Sequence, residues 1–171
     1  MGDPRRMRKK YESPKKPWER TLLETELRLL GEYGLKNKRE LRSLEATLRS
    51  MRKVARSIFA LPEEERIKKT AELSAKLKRM GLIGEGATID QVLELSTKNL
   101  LERRLQTVVY RRGLANSIYQ ARQFITHGHV MVDERVIKKP GKLLRAHEEN
   151  LVKINPKSSL ADPGHPLWSS R

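Results

Sequence analysis

The sequence predicts an α+β fold, mainly α, with a helical N-terminal domain and a small module of two helices and an antiparallel hairpin. Three observations predict it. Apolar residues recur at spacings of three and four from Trp18 to Ser96, the period of helices buried along one face. Two further segments keep that period, each opening on a capping residue and ending on a glycine, Gly113 or Gly128. After Gly128 the run His129-Val130-Met131-Val132, the turn Asp133-Glu134-Arg135 and the return Val136-Ile137 read as a hairpin. The chain divides into an extended basic arm (1–17), a helical domain (18–97), the small module (98–155) and an extended tail (156–171).

The arm carries Arg5, Arg6, Arg8, Lys9, Lys10, Lys15 and Lys16 with three prolines and no apolar period. It reads as a segment mobile on its own that lies along phosphates when bound, the plainer alternative being a solvated tail. In the helical domain Leu23, Leu27 and Leu30 form a first stripe, ended by Gly31 and Gly34. Leu41, Leu44, Leu48, Met51, Ala55 and Ile58 form a longer one. About two heptads are too few for a free coiled coil, so this is a core-facing helix. Its other face, with Lys38, Arg39, Arg42, Arg49, Arg52, Lys53 and Arg56, meets either solvent or phosphate. A third helix starts at Pro62, with Glu63, Glu64 and Glu65 beside the positive end of its dipole. Leu73, Leu77 and Met80 turn inward and Gly81 stops it. Thr88 and Gln91 have capping-box spacing for one more short helix. Between them Gly81, Gly84 and Gly86 are turn residues, because no lysine follows at P-loop spacing and no strand precedes.

In the module, Ser96 or Thr97 caps a single predicted helix running to about Arg112, with Leu101, Leu105 and Val108 inward. Arg103, Thr107 and Tyr110 fall on its opposite face, flanked by Arg104 and Arg111. Ser117 caps the second helix and Gln120 completes a Ser-x-x-Gln box. Ile118, Ala121 and Ile125 turn inward, Gln120, Gln123 and His127 outward, and Arg122 lies near the apolar shoulder. Lys138, Lys139 and Lys142 follow the hairpin, and Leu151, Val152 and Ile154 suggest another strand. The tail is rich in Pro and Ser, with Leu167 and Trp168 able to dock on a neighbour.

The 171 residues carry a net charge of +16. Folded compactly, such a chain repels itself and calls for a compensating anion, nucleic acid first and an anionic membrane surface second. Residues 98–145 hold 11 basic and 3 acidic groups, half of the excess. Arg, Lys and Gln side chains donate to phosphate and 2′-hydroxyl together, which suits RNA. No apolar run approaches the roughly 18 residues of a membrane span, and the N-terminus has no signal-like apolar core, so no membrane partner is expected. The absence of cysteine excludes disulfides and thiolate metal sites and leaves a cytoplasmic location unopposed.

Catalysis finds little support. There is no Gly-x-Ser-x-Gly, no dinucleotide fingerprint and no carboxylate pair with apolar flanks. His127 and His129 form a lone His-x-His without a third ligand at fitting spacing. Contact with RNA, or packing at a helix end, suits them better than metal. No cofactor is expected.

LERRLQT at 101–107, GLANSIYQARQFITHGHVMV at 113–132 and the hairpin to Pro140 resemble the RNA-binding module named after ribosomal protein S-four of the small subunit. GEYGLKNKREL at 31–41 and PWERTLLETELRLLG before it resemble the archaeal and eukaryotic branch of that ribosomal family. The resemblance runs from Tyr11 to Ile154, with two separate motifs in the right order and at the right separation. It implies a structural constituent of the small ribosomal subunit that binds 16S rRNA directly in its 5′ domain. It further implies that the protein nucleates assembly of the subunit body and contributes to translational accuracy. Ribosomal protein S-five and mRNA near its entrance to the subunit are the other partners it implies. The matching RNA-facing positions are Arg103, Arg104, Arg112, Ser117, Gln120, Arg122, Gln123, His127, His129, Lys138 and Lys139. On this reading an Arg103/Arg104 double alanine variant binds RNA more weakly with its fold intact. Many bacterial relatives carry an N-terminal cysteine cluster for zinc, and this chain has none, so no metal is carried over. GKLLRAHEENLVKIN, after Pro140, keeps less of the family pattern, which leaves the later strands open.

Two other readings compete with the ribosomal one. An RNA-modifying enzyme needs a catalytic carboxylate in a folded pocket, and the 97 residues upstream read as plain helices. A DNA-binding protein or a translational regulator outside the ribosome is the second.

Overall fold

The computed structural model describes residues 2, 9–84, 86 and 88–162. The expectations placed on Arg5, Arg6, Arg8, Leu167 and Trp168 lie outside the described residues.

The first helix, α1, spans Arg20–Glu32. Its inward stripe differs from the expected one. Leu27 is 59% exposed, and Glu26 is the residue that is buried. Lys38 and Arg42 of the next helix hold the Glu26 carboxylate at 3.0 Å each. A buried carboxylate needs such partners, so α1 docks through an ion pair as well as leucines. α2 covers Lys38–Phe59, and the side chain of its N-cap Asn37 accepts from the Glu40 amide. Leu41, Leu44, Leu48, Ala55 and Ile58 are buried along one face, as the spacing predicts. Four cations of its other face are engaged within the protein: Lys38 and Arg42 hold Glu26, Arg49 pairs with Glu12, and Arg52 donates to the Leu95 carbonyl; Arg39, Lys53 and Arg56 are exposed.

α3 spans Glu63–Arg79, directly after Pro62, and buries Leu77 against α2. Gly81 ends it at φ +66, and a Cβ there would lie 2.5 Å from the Arg103 guanidinium. α4 is Ile89–Glu94; Thr88 precedes it but its side chain forms no cap, so the expected box is absent.

The single helix expected over 97–112 is two. α5 runs Thr97–Glu102 and α6 runs Leu105–Arg111. Ser96 caps α5, with Asn99 as its box partner. The break is made by a distant segment. Leu105 and Gln106 donate their amides to the carbonyls of Lys142 and Pro140, and Leu144 donates to the Arg103 carbonyl. Backbone groups that a continuous helix would pair internally are thereby satisfied across the fold. The break rotates α6 relative to α5, so Thr107 is buried, donating to the Leu101 carbonyl at 2.8 Å, instead of facing outward.

α7 spans Ile118–His127 and ends at Gly128, in the left-handed region at φ +83. β1 (Val130–Val132) then pairs with β2 (Arg135–Val136) and with β3 (Val152–Ile154), giving an antiparallel sheet of order β2-β1-β3. Asp133 turns the hairpin at φ +59, a conformation that Asp tolerates better than most residues.

The interior forms two apolar clusters. One joins Tyr33, Leu35, Leu41, Leu44, Leu48 and Ala55 of α2, Leu77, Val92 and Leu95 with Leu100 and Leu101 of α5 and Ile118 of α7. The other joins Leu105, Val108, Val109, Ala121, Phe124 and Ile125 with Val130, Val132, Leu144 and Val152. α5 therefore packs in the helical core, although the sequence groups residues from 98 onward with the module. Leu105 has no exposed surface, and Leu105→Ala is expected to cost about 2–5 kcal/mol in denaturant melts. An unmoved midpoint would show that α6 is phased wrongly.

Candidate nucleic-acid interface

Three separate stretches meet at one open cleft of about 1150 Å³. The N-terminal stretch supplies Lys9, Lys10 and Tyr11, and the first turns of α2 supply Arg39, Glu40 and Ser43. The module supplies Arg104, Arg122, Lys138 and Lys139. Among the described residues, seven cations and one carboxylate thus line it. Tyr11 organises the rim, with Lys9 Nζ 4.6 Å and the Arg39 guanidinium 5.4 Å from its ring centroid. Both lie within cation–π range. Lys138 and Lys139 leave the hairpin just after β2 and are exposed. A Cβ on Gly128 would meet the Lys138 stem at 3.2 Å, so glycine serves both the turn and the passage of that lysine.

Glu40 organises the deeper side. Its Oε2 accepts from Arg104 Nη2 at 2.7 Å and its Oε1 from Arg122 Nη2 at 2.5 Å. Gln106 links this trio to the backbone: its Oε1 accepts from Arg122 at 3.2 Å and its Nε2 donates to the Gly34 and Ile118 carbonyls. Arg104 is only 3% exposed. Burial pushes its guanidinium down and Glu40 opposes that shift. Burial would also raise the Glu40 carboxyl, but the Arg122 hydrogen bond and the Arg104 charge outweigh it and hold Glu40 below the usual 4.5. One carboxylate shared by two guanidiniums leaves a net positive charge beside the cleft, and the exposed lysines add to it. Such a surface can hold a polyanionic backbone and contribute to salt-dependent binding.

Residues 103–150 match the S4 domain family. The small ribosomal subunit protein uS4 of Hyperthermus butylicus is 50% identical over 161 residues, covering 94% of this chain and 92% of that protein. The uS4 proteins of Ignicoccus hospitalis and Saccharolobus solfataricus are 50% and 49% identical over 158 and 153 residues. They cover 92% and 89% of this chain, and 95% and 84% of their own lengths. The chain belongs to the uS4 family.

In this chain the sequence-predicted residues separate into groups. Arg104, Arg122, Lys138 and Lys139 line the cleft together with Lys9 and Lys10 of the basic arm. Lys15 and Lys16 are exposed and do not line it. Arg104 is not the outward-facing arginine expected, because the break between α5 and α6 turns it onto Glu40. Its removal would take one of two guanidiniums from Glu40 and empty a buried site, so the Arg103/Arg104 double alanine variant is no longer expected to keep the fold intact. Arg103 is also engaged, donating to the Gly81 carbonyl and to Glu149. Arg112, though exposed, donates to the carbonyls of Glu149 and Val152 and braces β3. Ser117 is the N-cap of α7, accepting from the Gln120 amide, while Gln120 accepts from the Asn116 amide. Gln123 and His127 are exposed on α7 without lining the cleft. His129 Nδ1 lies 2.6 Å from the Ser158 hydroxyl and its ring meets Phe124 edge-on, a packing role. Among the described residues no three His, Asp or Glu side chains form a group able to hold a metal.

Sequence patterns do not reveal Glu40 or Gln106. A lone Glu in LKNKRELR looks like ordinary helix-surface pairing, and its partners lie 64 and 82 residues away. For Tyr11 there was a local signal, an aromatic beside consecutive lysines.

The ion-paired carboxylates set an acid limit. Burial raises Glu26, but hydrogen bonds from Arg42 and Lys38 and their charges leave it below the usual 4.5; Glu40 and Glu148 are lowered as well. A carboxyl depressed in the folded state contributes fully above its unfolded value, and that stability is lost as the pH falls through the folded one. Melting temperature is therefore expected to drop steeply on acidification below pH 4.5, and Glu26→Gln to flatten that limb. Superimposable acid limbs for the two proteins would exclude Glu26 as a contributor.

Proposed function

We propose that this chain is a structural constituent of the small ribosomal subunit, in the cytoplasm, that binds 16S rRNA directly and has no catalytic step of its own. The observation that carries this is the cleft, where cations from the arm, from α2 and from both ends of the S4 module surround a single hollow. Its kinship with small-subunit proteins supports the setting. Lys9, Lys10, Arg39, Lys138 and Lys139 would engage phosphates from the rim. Arg104 and Arg122 would add charge from behind, held at fixed positions by Glu40. Gln123 and His127 are further polar contacts available on α7, and Arg112 keeps part of its guanidinium exposed. In the finer reading the RNA partner is a helical junction in the 5′ domain. Binding there would nucleate assembly of the subunit body, and the protein would contribute to translational accuracy beside ribosomal protein S-five and mRNA near its entrance. The resemblance over Tyr11 to Ile154 supports these finer points.

Footprinting on naked small-subunit RNA tests the reading: protection is expected to concentrate on one junction of the 5′ domain. Competition separates it from a DNA-binding role, because 2′-hydroxyl contacts favour RNA. Duplex DNA displacing the RNA at equal concentration would overturn the proposal.

A further inference from the structure

The most exposed large apolar side chain among the described residues is Trp18, at 87%. Its ring meets no other aromatic and no cation among those residues. A lone exposed leucine would be ordinary. This indole differs because of the backbone and the charges around it. Lys16, Pro17, Trp18 and Glu19 form a turn in which the Glu19 amide donates to the Lys16 carbonyl at 3.5 Å. Pro17 takes the second position, where its fixed φ suits a turn. The Glu19 carbonyl accepts from the Leu23 amide at 3.0 Å, which joins the turn to the start of α1. The indole is thus presented on a backbone with little freedom left to lose on binding. Lys15 and Lys16, just before it, are exposed and form no ion pair among the described residues. The nearby carboxylates are engaged: Glu12 with Arg49, Glu19 with the Thr21 hydroxyl at 3.2 Å, and Glu24 with Arg20 at 2.7 Å.

A pocket on another protein is a poor partner for this indole, because closing over Trp18 would draw two adjacent lysines toward the centre of the contact, where lysine is depleted. A nucleobase fits better. It offers a flat π face to the indole, and the phosphates on either side of it call for cations. Seven residues separate Trp18 from Tyr11 at the cleft rim, at most about 25 Å of extended chain, so one RNA can reach both. We infer that Trp18 is a stacking platform for an unpaired base of the bound RNA, with Lys15 and Lys16 on the phosphates flanking that base. The inference rests on the RNA-binding reading and extends it from the cleft, which holds backbone phosphates, to a position that selects single-stranded RNA.

Trp18 and Trp168 are the two tryptophans of the chain, so Trp168→Phe leaves Trp18 as the sole indole reporter. Titrating that variant with naked small-subunit RNA is expected to quench its emission in step with binding, because a stacked base quenches an indole on contact. Trp18→Leu keeps apolar bulk and removes the π face. It is expected to bind the RNA about 5- to 100-fold more weakly, the equivalent of one stacked base. Its salt slope is expected to match the parent's, since no phosphate contact is removed. Trp18→Phe is expected to recover most of the lost affinity, and neither change to move the melting temperature, because the side chain packs against little. A Leu variant that binds as tightly as the parent, or an RNA complex whose indole stays unquenched, overturns the inference and leaves the RNA-binding reading standing. An emission change that appears only when other subunit proteins are added would assign Trp18 to a protein contact and overturn it as well. If the parent chain does not bind the RNA at all, the RNA-binding reading falls, and this one with it.

Discussion

Glu40→Gln is expected to lower stability by about 3 kcal/mol, toward the lower end of the range for breaking a buried ion pair. For a chain of this size that is roughly 6–12 °C in melting temperature. The lower end applies because the Glu40 and Arg122 side chains keep 23% and 21% of their surface, so water screens part of the loss. The Arg104 side chain keeps only 4% and cannot follow its charge into solvent. Without the Glu40 carboxylate it is a cation in a desolvated pocket, attached through Leu105 and Gln106 to the segment that pairs with Lys142 and Pro140. Because Glu40 sits on α2 and both arginines on the S4 module, the loss also loosens the fixed relation between the two sides of the cleft. Glu40→Gln combined with Arg104→Met should therefore cost less than the two single changes added together, since Glu40→Gln alone leaves the Arg104 charge buried without a counter-ion and the double change removes that charge. A midpoint for Glu40→Gln within a degree of the parent would remove Glu40 from its assigned place.

Changing Lys9, Lys10, Lys138 and Lys139 together to alanine should do the reverse: RNA binding collapses while the melting temperature stays put. All four are exposed, so little packing is lost. Each phosphate contact contributes about 0.7–0.9 to the slope of log affinity against log salt, so removing four should flatten that slope by about three. Between 50 and 200 mM salt, the affinity gap between parent and variant should then shrink by roughly two orders of magnitude. Pairs give a finer answer. If the arm and the hairpin exit contact the same RNA strand, the Lys9/Lys10 and Lys138/Lys139 variants should each flatten the slope by about half as much. A quadruple variant with an undiminished slope would place the RNA elsewhere on the molecule.

Glu26 and Glu40 mark the boundary of what local patterns carry. The α2 stripe, the Pro62 start, the Ser117 cap, the Gly128 stop and the β1–β2 hairpin are all visible in the sequence because each is a local pattern. Leu27 and Glu26 exchange places because periodicity counts apolar residues and is blind to a carboxylate that finds two cations on another helix. The break between Glu102 and Leu105 is hidden for a similar reason: the carbonyls that replace its helical partners belong to Pro140 and Lys142. That one break reverses the orientation of Arg104 and Thr107, which helical phasing puts on the surface.

Element types, the cationic excess of the module and, through the motifs, the family are all written in the order of the residues. Those are properties of composition and short-range spacing, which survive whatever the chain does at long range. Which cations are engaged inside the protein and which remain available is set by the packed fold alone. Arg103 and Arg104 are adjacent and chemically alike, yet one binds Gly81 and Glu149 and the other Glu40. Whether a guanidinium faces a carboxylate or solvent depends on groups dozens of residues away, brought near by burial of the two apolar clusters, and no local pattern encodes that distance.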